Sequence, residues 1–199
     1  MTESQLTVVP ANRASWADLE LVFGRRGQPA RCWCQRYKLA RRESFAAVPA
    51  EDRAERLRDQ SDCGRPRSRT TSGLVGYLDD EPVGWCAVEP RAAYTGLARV
   101  ARVPWEGRSE DKADETVWAV TCFVTRTGYR RRGVTRELAR AAVEHARAHG
   151  ARAVEGYPIT TTQVILEELH VGTVSVFADA GLRVVSRPTP RRVVMRIDF

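Results

Sequence analysis

The 199-residue sequence predicts one α/β (α+β) domain: a mixed sheet with helices on its faces. Three observations predict it. Val117–Val124 is an apolar strand that fits burial on both faces, and so a central position. A turn links it to a helix over about Gly133–His149, with Val134, Leu138, Ala141, Ala142 and Val143 on one side and Arg136, Glu137, Arg140, Glu144 and Arg147 on the other. Upstream, the β-rich runs Leu74–Leu78 and Pro82–Val88 flank the acidic turn Asp79–Glu81 and read as a hairpin.

The other elements follow in order. Gln5–Val9 alternates enough for an edge strand, and Ser15–Phe23 suggests a short helix with Ser15 at its start. Pro49 and the acids after it open a second helix through about Gln60, because proline and negative charge suit a first helical turn. Cys63–Ser72 is loop-like, and Ser109–Glu115 reads as a charged, mobile loop. Ala153–Tyr157 is a strand stopped by Pro158, Val174–Ala180 is a helix ended by Gly181, and Leu182–Ser186 with Arg192–Phe199 forms a final strand pair.

Composition narrows the class. Apolar content of 43% and charged content of 29% fit a globular protein, and no apolar run approaches the roughly 18 residues a membrane span needs. Met1–Leu6 lacks a basic segment followed by an apolar stretch, so no leader is expected and the cytoplasm is the expected compartment, with no membrane partner. The net charge of +7 is nearly all arginine. It fits a polyanionic partner or simple coding bias, and its spread along the chain favours bias. Five scattered cysteines do not form a disulfide framework, and Cys32-Trp33-Cys34 is too tight for zinc spacing, so no metal is expected.

One local cluster escapes the bias argument. Gly128, Arg130, Arg131, Arg132 and Gly133 fill the turn between the central strand and the long helix. A helix start offers unpaired N–H groups, glycine removes the side chain where a phosphate approaches, and arginine adds donors matched to phosphate oxygens. Neither a Walker loop nor a dinucleotide fingerprint is present.

In its position, Arg130–Thr135 resembles the Q/R-x-x-G-x-G/A signature of the GNAT N-acetyltransferase superfamily, with Thr135 where glycine or alanine is usual. Pro82–Trp85 resembles the family's third strand, and Val174–Leu182 its fourth helix. The resemblance covers about Leu74–Phe199, with 1–73 as a variable substrate-side region of the same domain. It implies a mostly antiparallel sheet whose central strands splay apart. It also implies acetyl-CoA as co-substrate, held by Arg130, Arg131, Arg132, Gly133, Val134 and Thr135 at the pyrophosphate and by Phe123 and Val124 along the pantetheine arm. The acceptor would be a primary amine of a small molecule or a protein lysine, attacking the thioester directly. A homodimer is the assembly considered.

The resemblance also exposes a departure. The family's usual thiolate acid is a tyrosine in the fourth helix, and here Phe177 occupies that place. Another group or water then supplies the proton, or the thiolate leaves unassisted; Ser175 and Tyr157 are the substitute acids, and Glu155 and Glu115, directly or through water, the candidate bases. The Val124 N–H is the candidate oxyanion donor. His145 and His149 are expected in solvent, and His170 in a cap or loop role within reach of the site. Trp33, Arg91 and Tyr94 are candidate acceptor contacts, with core packing the stronger reading for Trp33. Two alternatives stand beside the transferase. One is an RNA-linked relative, suggested by Arg65, Arg67 and Arg69 with Arg130–Arg132, although no nucleic-acid-binding motif accompanies them. The other is a catalytically silent acyl-CoA sensor, suggested by Phe177.

Overall fold

The computed structural model of the chain describes residues 6–100, 102–161 and 163–199, leaving Gln5 of the expected first strand and Met1 to Gln5 of the chain start outside the described residues. In chain order the main elements are β1 (Leu6–Pro10), α1 (Trp16–Phe23), α2 (Gly27–Cys32), α3 (Ala50–Ser61), β2 (Gly73–Leu78), β3 (Glu81–Pro90), α4 (Thr95–Arg99), β4 (Val117–Thr125), α5 (Val134–Ala148), β5 (Ala153–Gly156), α6 (Val174–Asp179), β6 (Arg183–Thr189) and β7 (Arg192–Asp198). A 3-10 turn, Leu166–Val171, precedes α6.

The strands form one seven-stranded sheet in the order β1-β2-β3-β4-β5-β7-β6, with β4 in the middle as its apolar character predicts. All neighbours are antiparallel except β4 and β5. That parallel pair runs only from Val117↔Ala153 to Val120↔Gly156, so the second half of β4 continues without β5 beside it. This is the splay the resemblance implies.

A β-bulge sits at the same place. Ala87 pairs with Cys122 and Val88 with Val120, leaving Thr121 as the extra residue on β4. The bulge resets which face each side chain meets. Before it, Trp118 and Val120 pack with Leu138, Ala142, Val143 and Ala146 of α5. After it, Phe123 joins that same layer, while Cys122 and Val124 turn to the opposite core with Leu19, Val22 and Phe23 of α1, Trp33 and Leu57.

Local chemistry explains the helix ends. Ser15 accepts from the Asp18 N–H and Asp18 accepts from the Ser15 N–H, a reciprocal capping box that starts α1. α2 was not legible as a helix, although Pro29 lies in its first turn, where a missing N–H costs nothing. Gly150 takes φ +78° just past α5, a backbone conformation that glycine adopts without a Cβ clash. The loop between α4 and β4 is less free than its charge suggested, since Arg108 and Glu110 are tied into a buried ion-pair cluster.

Phe177 fills the wedge under the splay. It is 1% exposed, and its ring centroid lies 5.7 Å from that of Phe123. A Cβ added at Gly156 would meet the Phe177 ring at 2.3 Å, so β5 must end on glycine. Gly156→Ala is expected to overpack this wedge and lower stability by about 1–3 kcal/mol, read from the urea midpoint at unchanged m-value.

Candidate active site

A cleft of about 650 Å³ opens along the unpaired half of β4. One wall is α1, α2 and their connection, through residues such as Phe23, Gly24, Arg26, Pro29 and Cys32. The floor is Cys122–Thr125, and the far wall is the 3-10 turn with Glu167, Leu169 and His170. One end reaches Arg126, Thr127, Arg130 and Thr135 at the start of α5.

That end gathers uncapped backbone N–H groups and arginine charge. Gly133 caps α5 at φ +80° with no side-chain cap bond, so the first N–H groups of the helix have no capping side chain. Arg131 is also left-handed at φ 63°, and nothing lies within 4 Å of where a Gly133 Cβ would stand. Alternating backbone handedness beside a helix start makes a concavity lined by N–H groups, which favours phosphate oxygens. Arg132 and Arg126 flank the Tyr129 ring at 5.5 and 5.2 Å, while Arg130 faces the cleft without an ion-pair partner among the described residues.

The open strand edge offers a second feature. Arg126 donates its N–H to Val83 O of β3 at 2.9 Å. Antiparallel alternation then turns the Val124 N–H toward β3 as well, and presents those of Phe123 and Thr125 to the gap. Val124, the oxyanion donor expected from the sequence, thus lines the cleft with its amide turned to β3, and the Phe123 and Thr125 amides are the ones without a strand partner among the described residues.

The structure distributes the remaining sequence candidates unevenly. Phe123, Val124, Arg130 and Thr135 line the cleft, Arg131, Arg132 and Gly133 are exposed beside it, and Val134 is buried against the core. Glu155 and Tyr157 do not line it. Glu155 is fully buried and accepts from Arg196 at 2.9 Å, from Arg91 at 3.2 Å, from Arg108, and from the Tyr157 hydroxyl at 3.1 Å. Burial alone would raise its pKa, but the three guanidinium groups outweigh it and hold the carboxylate below its ordinary value of 4.5. Burial and the adjacent Glu155 push Tyr157 well above 10, so its proton stays in place. Ser175 is exposed on α6 with its hydroxyl 3.1 Å from that of Thr173, and Glu115 is exposed outside the cleft.

Arg91 and Tyr94 are buried away from the cleft, with Arg91 4.9 Å over the Trp105 ring. Trp33 stacks between Trp16 and Phe23 at 5.4 and 4.7 Å, which places it in the core, while its neighbours Cys32 and Cys34 line the cleft. Among the described residues no group of three or more His, Cys, Asp or Glu is placed to hold a metal. His145 is half-buried against Trp118 rather than solvated, and burial with the nearby His149 lowers its pKa to about 4. The α1–α2 wall was missed by sequence reasoning; its signal was Gly24, Gly27 and Pro29 close together between two short apolar segments.

Removing the Glu155 charge should leave three nearly buried guanidinium groups with only the partly exposed Glu110 as a shared carboxylate. Glu155→Gln is expected to cost about 3–5 kcal/mol in denaturant unfolding. Because the folded pKa is depressed, this stability is present above the ordinary carboxylate value and is lost as pH falls through the folded one. The wild type should therefore lose stability on acidification below about pH 4.5, with a shallower loss in the variant.

Comparison with known proteins identifies the family and the fold. The model of the acetyltransferase (GNAT) family matches residues 33–161, so the match begins within the N-terminal region and reaches just past β5. No curated protein sequence matches the chain. Its fold is similar to a GCN5-related N-acetyltransferase from Kribbella flavida, at TM-score 0.53 and 17% identity over 98% of both chains. It is similar to an N-acetyltransferase from Staphylococcus aureus Mu50, at TM-score 0.56 and 9% identity over 98% of this chain and 99% of that one. A Salmonella typhimurium protein solved with its cofactor acetyl-CoA matches at TM-score 0.54 and 13% identity, over 97% of this chain and 93% of that one. With the family match covering well over half its length, the chain belongs to the GNAT acetyltransferase family.

Proposed function

We propose that the protein transfers an acetyl group from acetyl-CoA to an amine of a small molecule or a protein lysine by direct attack. The observation that carries this is the continuity of the cleft. It runs from the start of α5, past the open edge of β4, to the wall made by α1 and α2. A phosphate-bearing, amide-rich donor suits the first two parts: backbone N–H groups and Arg130 for the pyrophosphate, and the Phe123 and Thr125 amides for the arm. The third part leaves room for a second reactant at the same place, which is what direct transfer needs.

The cleft's charge bears on the acceptor. Among the described residues, Arg26, Arg36, Arg126 and Arg130 line it against one carboxylate, that of Glu167. A polycationic acceptor would meet repulsion there, so a monoamine fits better, above all one bearing an acid group. Among the described residues no helix is long and apolar enough to cross a membrane.

Acetyl-CoA at about a hundredfold excess over its Kd should stabilise the protein by about 2.7 kcal/mol, a rise in melting temperature of roughly 5–10 °C. Arg130→Glu should weaken acetyl-CoA binding by about tenfold or more, with the deficit shrinking as salt screens the pyrophosphate. A melting temperature unmoved by saturating acetyl-CoA would sink the donor assignment. Thiol release with a panel of amines and lysine peptides tests the transfer itself.

A further inference from the structure

Direct transfer must carry one proton away from the amine and deliver one to the departing sulfur. The group that usually does the second task in this family is absent, since Phe177 is packed into the wedge and does not line the cleft. Glu155 is saturated by three arginines and a hydroxyl, and Tyr157 holds its proton on that carboxylate. One titratable side chain in the cleft has an unused ring nitrogen.

His170 stands in the 3-10 turn Leu166–Val171, which packs against β4 beside the splay. Its Nδ1 lies 2.7 Å from the Glu167 carbonyl oxygen. A carbonyl only accepts, so in the neutral ring the proton sits on Nδ1 and the lone pair on Nε2. Nε2 is buried and has no hydrogen-bond partner among the described residues, yet the residue lines the cleft across from Cys122–Thr125. A buried acceptor without a donor, on a residue that lines the cleft, is open to pairing with a donor that a ligand brings. The surroundings also keep the ring neutral. Burial lowers its pKa most, and Arg36, after α2, and Arg192, on β7, push the same way; the Glu167 carbonyl and the Glu168 carboxylate oppose them without reversing the shift.

We propose that His170 is the proton carrier of the reaction, a catalytic residue whose Nε2 takes the proton of the attacking amine and returns it to the leaving sulfur. The assignment rests on the acetyl-transfer reading above. The amine nitrogen bonds to the thioester carbonyl carbon, and its proton passes to Nε2. The carbon–sulfur bond then breaks with its electron pair on sulfur, and the thiolate takes the proton from Nε2. Amide and thiol are the products, and His170 ends neutral as it began.

The test compares wild type with His170→Gln in kcat and KM across pH 5–9, using the best amine from the panel. The acetyl-CoA-induced rise in melting temperature serves as the check on folding and donor binding. His170→Gln is expected to keep that rise and a KM within about threefold, to lose about 10²–10⁴-fold in kcat, and to lose the acid limb of the wild-type kcat profile. A second arm uses His170→Ala with imidazole in the buffer, where partial recovery of kcat is expected and its absence in the folded variant counts against the assignment. A folded His170→Gln that retains kcat within about threefold, with the acid limb unchanged, overturns it. Wild-type protein that releases no thiol with any amine instead overturns the transferase reading, and this assignment with it.

Discussion

Everything in the cleft depends on where β4 and β5 part. The parallel pairing stops at Val120↔Gly156, and the bulge at Thr121 follows at once. A bulge inserts one residue into one strand and so reverses the alternation of side chains beyond it. Here the reversal sends Phe123 beneath the sheet to meet Phe177, and turns Cys122 and Val124 toward α1. The same break leaves backbone amides on one edge without a strand to satisfy them. Buried N–H groups need partners, and an amide-rich ligand is the partner such an edge can accept. The cleft is thus the consequence of one missing strand contact rather than of a hollow in the core.

The far side of β5 shows how that break is supported. Glu155 faces away from the cleft and gathers Arg91, Arg108 and Arg196, with Glu110 bridging the same arginines. These residues come from the end of β3, from the loop before β4, from β5 and from β7. Ion pairs so deeply buried add little net stability against a well-packed apolar core, but breaking one partner out is costly. Their effect is to fix the long charged loop to the half of the sheet that β5 and β7 form. The splayed strands therefore hold their separation because each is anchored to a different set of neighbours.

The sequence made the frame legible and hid much of the site. Val117–Val124 and the helix after it could be read because apolar periodicity and a glycine-bounded turn are local signals, and the arginine-rich turn between them came with them. The hairpin, the Ser15 cap and the final strand pair were legible for the same reason. Glu155 and Tyr157 were misleading because nothing local reveals that Arg91, Arg108 and Arg196 converge from distant positions. The orientation of the Val124 N–H was hidden because strand pairing sets which amides are free. His170 looked like a loop residue, and it is one. Its chemistry appears only once the turn is seen against β4, with Nδ1 occupied and Nε2 alone among the described residues.

The packing around Phe177 bears on anyone who would rebuild this enzyme. The ring sits against Gly156 on one side and against Gly172 on another, where added Cβ atoms would lie 2.3 and 2.9 Å from its carbons. The Cε1–Cζ edge of the ring comes nearest to Gly156, and Phe177 does not line the cleft. Swapping this aromatic for another is therefore first a change of packing between α6 and β5, and only then a change of chemistry. A catalytic redesign of this scaffold has to start from the wall that Leu169 and His170 form, since these residues already line the cleft.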